Sequence, residues 1–193
     1  MTMKKRMLLM IAVPALTLGQ ATAQRVLPRM CGIAIGGGMV DGRCDSYYGN
    51  VTAETYAKGG DKWVLGTEYL KRNHRYEYGE WGKQTIPVVQ FTAEGGFYKH
   101  VLSDASKSLF VYVGGSAMAG YETVNWNEKQ LNDGSRLTGR DGCVYGCAAT
   151  LSVEWYISDK VALTGNVRER FLWGNTSGLN HTQYGIGLKF IVN

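Results

Sequence analysis

The side chains able to carry acid–base chemistry near neutral pH are few, since His74, His100 and His181 are the three histidines of this 193-residue chain. None lies in a nucleophile or metal-ligand motif, so they read as surface or interfacial histidines. Asp133, Ser135 and His181 are the group types that a hydrolase or acyltransferase needs, and all three fall in stretches that read as long loops. Their spacing does not single them out. Gly36-Gly37-Gly38 offers a flexible backbone, but no Lys-Ser or Lys-Thr follows and no helix opens there, which argues against a phosphate loop. Close approach of neighbouring strands explains these glycines better. The sequence thus points to no catalytic residue, no metal ligands and no cofactor.

The elements that would position any site begin with an export signal. Lys4, Lys5 and Arg6 precede an apolar run over residues 7–18, and Ala21-Thr22-Ala23 follows it, the three regions of a secretory signal in order. Cleavage after Ala23 is expected, leaving one domain over residues 24–193 with no Pro-rich or Ser/Gly-rich linker to divide it. A retained helical anchor would need about 20 apolar residues, and Pro14 breaks this run. Arg29-Met30 before Cys31 does not suit a lipoprotein acylation site. Three of the cations behind the formal charge of +5 belong to the signal, so the mature chain carries +2. That is no nucleic-acid footprint, and neither direct nucleic-acid contact nor a small-molecule substrate is expected.

Glycine is abundant at 26 residues and proline rare at 3, while Tyr, Trp, Val and Thr recur in alternating runs, as strands require. Residues 160–173 set Val161, Leu163, Gly165, Val167, Phe171 and Trp173 on one face. Thr164, Asn166, Arg168 and Arg170 fall on the other, with Glu169 the exception. The same period of two runs through residues 47–57, 62–75, 88–101, 143–157 and 181–192. It is weaker over 109–121, where both faces are apolar. With the glycine-rich residues 32–40 as the first, about eight strands result. Short links at 58–61, 103–106 and 158–159 alternate with longer ones at 41–46, 76–84, 123–142 and 174–180. Together these predict an all-β, antiparallel up-and-down barrel of outer-membrane type, with short periplasmic turns and long external loops. A soluble β-domain in the periplasm is the alternative.

A polar face turned inward collects Glu54, Glu68, Glu94 and Glu154 with Arg72, Arg168, Arg170 and Lys189. Charges in so narrow a lumen persist only when paired and hydrogen-bonded. Four acids against four bases therefore predict a closed interior of salt bridges without a substantial channel. Trp63, Trp155, Tyr156 and Phe190 near the turn ends, with Tyr47, Tyr48, Tyr121, Phe171 and Trp173 near the loop ends, are placed as two interfacial belts. Outer-membrane lipid is accordingly an expected partner. Cys31, Cys44, Cys143 and Cys147 are not spaced as a zinc site, and an exported chain tends to oxidise them. Cys44 and Cys143 fall in predicted loops on the same side of the barrel, so a disulfide between them is geometrically possible, with connectivity otherwise open.

Four stretches form a recognisable set: Trp63-Val-Leu-Gly-Thr-Glu-Tyr-Leu70, Ile86-Pro-Val-Val-Gln-Phe-Thr-Ala-Glu-Gly-Gly-Phe-Tyr98, Gly114-Gly-Ser-Ala-Met-Ala-Gly-Tyr-Glu-Thr-Val-Asn-Trp126 and Gly185-Ile-Gly-Leu-Lys-Phe-Ile191. They resemble the TraO family of conjugative-transposon transfer proteins from Bacteroides-type bacteria. The resemblance also takes in Gln24-Arg25, Leu27-Pro28, Arg168-Glu169-Arg170 and Leu172-Trp173-Gly174, and so covers nearly the whole chain. It implies a structural or accessory component of the mating apparatus at the outer membrane, with other apparatus proteins as partners and no enzymatic activity. Cys31, Cys44 and Cys143 depart from the family pattern, which lends the disulfide no support. The length of loop 123–142 makes Glu122, Asn125 and Trp126 at its base the expected contact surface. A barrel with a general anchoring or adhesion role, or a rim enzyme acting on lipid or peptide, are the rival readings that the same physics permits.

Overall fold

The computed structural model describes residues 29–78, 82–128, 141–176 and 178–192. The signal segment 1–23, Asp133 and Ser135 lie outside them. Eight strands follow in order: β1 (Cys31–Val40), β2 (Arg43–Tyr56), β3 (Lys62–Tyr78), β4 (Gly82–Ser103), β5 (Leu109–Val124), β6 (Gly142–Tyr156), β7 (Val161–Trp173) and β8 (Asn180–Val192). Each pairs antiparallel with its sequence neighbour, and β1 pairs with β8 from Cys31–Val192 to Val40–Gln183, which closes the barrel. Closure leaves the sheet no open edge, the condition for strands to cross lipid.

Which way the strands face follows from their period of two. In β7, Ala162, Thr164, Arg168, Arg170 and Leu172 are buried, while Leu163, Val167 and Trp173 are exposed. Apolar side chains elsewhere also point out: Leu65 is 69% exposed and Ile186 72%. A soluble barrel would place them inside; an apolar outer wall around a polar lumen is the outer-membrane arrangement. Glu169, the polar residue on the outer face of β7, accepts a hydrogen bond from the Thr182 hydroxyl at 2.6 Å.

One expected long loop is tight. Asp41 and Gly42 alone connect β1 to β2, with φ of 53° and 66°. Two consecutive positive φ angles match the twist of a hairpin, and Asp-Gly supplies them. The Asp41 carboxylate also accepts the Thr182 N–H at 3.0 Å, fastening this turn to β8. Conversely, β3 and β4 remain paired out to Tyr78–Gly82, so most of the stretch 76–84 is strand rather than loop. At the other end the links are short: a 3-10 turn at Lys58–Gly60, then residues 104–108 and 157–160. In the second of these the Ser106 hydroxyl donates to Asp104 and holds its carboxyl below the usual range.

Trp63, Phe190, Tyr47, Tyr121 and Trp173 face outward as belt residues should. Trp63 packs on Phe97 at 4.9 Å between ring centroids, and Tyr145 stacks with Trp173 at 6.3 Å. Tyr48 and Tyr156 are corrections: both are buried in the lumen. Adjacent residues of a strand point to opposite faces, so Tyr47 and Tyr48 cannot both meet lipid, and Tyr156 shares the inward parity of Glu154.

Glycines make this narrow barrel possible where strands crowd. A Cβ at inward Gly146 would run into the Phe171 carbonyl oxygen, and one at Gly38 into that of Tyr184, whereas one at Gly165 would meet nothing within 4 Å. Gly146→Ala is therefore expected to destabilise the barrel by about 1–3 kcal/mol, the usual scale of overpacking. Gly165→Ala should stay within about 0.5 kcal/mol of wild type. Urea unfolding in detergent micelles measures both, and equal midpoints for the two variants would count against the close-approach account.

Candidate functional site

The lumen is filled in layers from the turn end outward. Its floor is a buried cluster of Met30, Tyr56, Val64, Tyr98, Phe110, Tyr112, Tyr156 and Ala162. Directly above it, four strands contribute one charge each. Lys62 lies 3.0 Å from Glu54 and also pairs with Glu154, while Lys189 lies 2.7 Å from Glu154 and also pairs with Glu54. Acid and base alternate around the ring, so every charge meets two of opposite sign. The Tyr56 hydroxyl donates to Glu154 at 2.9 Å and accepts from Lys189. The Lys62 ammonium also sits 4.7 Å from the centroid of the Tyr112 ring, a cation–π contact.

A second cluster occupies the next layer. Arg168 donates to Glu94 at 2.9 Å, Glu68 at 3.3 Å, Thr150 at 3.1 Å and the Tyr98 hydroxyl at 3.2 Å. Arg170 approaches Glu68 to 2.8 Å as an ion pair, but without the alignment of a hydrogen bond, and its Nε–H meets the Met118 sulfur at 3.5 Å. Gln183 gives Glu68 a further donor at 2.9 Å. Between the two clusters, beside Asn50, Thr52, Ser152 and Thr164, an interior space of about 30 Å³ is left. That is room for about two waters.

Seven of the eight charges expected in the lumen network thus meet there. Arg72 is the exception: it faces inward but higher, at the outer rim, where it pairs with Asp41 at 2.9 Å and donates to His181 Nδ1, also at 2.9 Å. Lys62 occupies the place expected of it. The sequence places Lys62 at the start of the strand over 62–75 but not in the expected lumen set, although its parity with Glu68 was the available signal. His181 is 1% exposed and bound into this rim cluster. It is therefore not presented at the open rim as a catalytic group.

The expected contact surface divides. Glu122 is a correction: it is 1% exposed, accepting from Gln90 at 2.7 Å and from the Thr176 N–H at 2.7 Å, so it anchors the β7–β8 loop from within. Asn125 and Trp126 lie beyond it with φ of 52° each, and the Trp126 side chain is 62% exposed. A bulky residue in the left-handed region costs energy and is held there by its surroundings. Here the holders are Asn125 Nδ2 on the Glu128 carbonyl at 2.8 Å and the Val124 N–H on Asp141 at 2.9 Å.

The cysteine bridge is also corrected. Cys44 and Cys143 are free thiols, as are Cys31 and Cys147. Cys44 is the second residue of β2 and Cys143 the second of β6, four strands apart in either direction around the closed sheet, so they stand on opposite walls. A disulfide requires Cα atoms within about 7 Å.

Among solved structures, the barrel is similar to the N-terminal β-barrel domain of Pseudomonas aeruginosa OprF, with TM-score 0.50 and 13% identity over 86% of this chain and 98% of that one. It is also similar to Ail, the attachment invasion locus protein of Yersinia pestis, in complex with the heparin analogue sucrose octasulfate. There the TM-score is 0.53 and the identity 10%, over 86% of this chain and 100% of that one. At these identities the likeness shows the fold alone, that of an outer-membrane β-barrel. No curated protein matches the sequence. Residues 27–192 match the family model described as conjugative transposon protein TraO.

The buried charges make a sharp prediction. Glu154→Gln leaves Lys62 and Lys189 with one carboxylate between them and is expected to cost about 3–5 kcal/mol, as for other broken buried pairs. Arg168→Ala should cost about 3 kcal/mol by leaving Glu94 and Glu68 short of their donor. Arg43→Ala, which removes an exposed pair with Asp45 at the rim, should leave the midpoint close to that of wild type. Unfolding midpoints in micelles order the three variants, and an unchanged midpoint for Glu154→Gln would contradict the ring.

Proposed function

The chain belongs to the TraO family of conjugative transposon proteins, and from that premise we propose that it is a non-catalytic outer-membrane component of the conjugative-transposon mating apparatus. The observation that carries this reading is the family match across residues 27–192, which takes in the barrel from β1 to β8. The apolar outer wall supports a place in the outer membrane, because it would otherwise face water. A lumen filled with paired charges supports a role in holding partners rather than conducting a substrate. The contact surface is then the outer rim, with Trp126 as its anchor. An exposed indole on a fixed turn is a low-entropy binding group, and Trp is prominent among the residues that dominate interfaces.

Deleting the gene should abolish or sharply reduce conjugal transfer, and the wild-type chain supplied in trans should restore it. Trp126→Ala should restore transfer at least about tenfold less well, the scale of losing one anchoring aromatic. Fractionation with unheated and heated gel migration checks that both forms reach the outer membrane as folded barrels. Undiminished transfer by the deletion strain would refute the proposal. Normal transfer with Trp126→Ala would move the contact surface elsewhere.

A further inference from the structure

The outer wall carries a second feature that the family reading does not use. An open groove of about 550 Å³ runs across β2 to β5 at the turn end, floored by Ala53, Gly95 and Gly115 and walled by Trp63, Leu65 and Phe97. The inward glycines are required by close strand packing, but these two are not. A Cβ at Gly95 would come no nearer than 3.9 Å to Leu65, and one at Gly115 no nearer than 3.7 Å to Ala148. Their bare backbone therefore creates space on the lipid side instead of relieving a clash inside. Two exposed cations lie beyond this groove toward the turn end. Lys99 follows Phe97 on the same outward face of β4, and Lys58 lies in the turn that sets Gly60 against His100 of that strand. The nearby acid, Asp61, already accepts the His100 N–H at 2.9 Å.

We infer that this groove is a binding site for an anionic phospholipid of the periplasmic leaflet, with an acyl chain along Trp63, Leu65 and Phe97 and the phosphate between Lys58 and Lys99. The site rests on the outer-membrane placement proposed above. Apolar length alone would select no particular lipid; the two lysines at headgroup depth favour the one that carries net negative charge. A wider groove on the opposite wall, floored by Gly37 and Gly165, lacks this feature. Its nearby rim cation, Arg43, is already neutralised by Asp45 at 2.9 Å.

Native mass spectrometry of the folded full-length barrel, with phosphatidylglycerol or phosphatidylcholine of identical chains added separately, tests the site. Wild type should retain one phosphatidylglycerol with a preference over phosphatidylcholine of roughly tenfold or more, since each surface lysine contributes about fivefold. The Lys58→Ala/Lys99→Ala double variant should lose the preference, and Gly95→Leu/Gly115→Leu, which fills the floor, should lose retention of both lipids. Equal retention of the two lipids by wild type, or a preference that survives removal of both lysines, would overturn the inference. Heat-dependent gel migration of each sample shows whether the barrel is folded, and the cell fractionation above scores the membrane placement separately.

Discussion

Glu54, Lys62, Glu154 and Lys189 reach into one ring from β2, β3, β6 and β8, each between two partners of opposite sign. Removing a single ion from water costs several kcal/mol, and only close pairing with further hydrogen bonds offsets it. The ring meets that condition, with Tyr56 and the aromatic floor completing the shell around the ammonium groups. It also fixes register. A slip of one residue in β6 would turn Glu154 into lipid and Trp155 into the lumen, so the charges penalise every misaligned closure. An apolar interior would leave no such penalty, because either face could then be buried.

The outer wall obeys the complementary constraint. Lipid offers no partner to a polar group, so outward positions are mostly apolar, and Glu169 on β7 finds its partner in Thr182. Both surfaces are built from the same strands, so neither can be altered without the other. Tyr47 meets the membrane because Tyr48 fills the lumen, and Phe97 can wall a lipid groove because Tyr98 binds Arg168 on the other side.

Much of this architecture was legible because alternation leaves its mark on every strand. Arg168 and Arg170 against Val167 and Trp173 suffice to orient β7, and all eight charges named turn inward, seven of them into the two clusters. What escaped were positions where parity had no neighbours to calibrate it. Lys62 stands at the very start of β3, and Glu122 lies near the end of β5, whose two faces are alike in polarity, so its inward turn could not be carried from Leu109. Arg43 and Asp45 made residues 41–46 read as a loop. Yet both lie on β2, and the turn itself was written in Asp41-Gly42. Long-range contacts were the least accessible: the pairing of Arg72 with Asp41 and His181 joins three strands, and no local pattern announces it. Neither does spacing reveal that Cys44 and Cys143 stand on opposite walls.

The seal of the lumen bears on what a conjugation protein of this shape can do. A DNA strand is wider than any passage through eight strands whose interior is occupied by side chains, and the space between the two charge clusters has room for only about two waters. Opening it would expose or strand eight buried charges at once, at a cost no loop movement offsets. Any partner therefore meets the barrel at its surfaces, which separate into three by chemistry. The outer rim presents a fixed indole, the turn end presents lysines, and the wall between them presents glycine-floored grooves to lipid. A closed cylinder that holds those three surfaces in fixed relation suits the scaffold role proposed above.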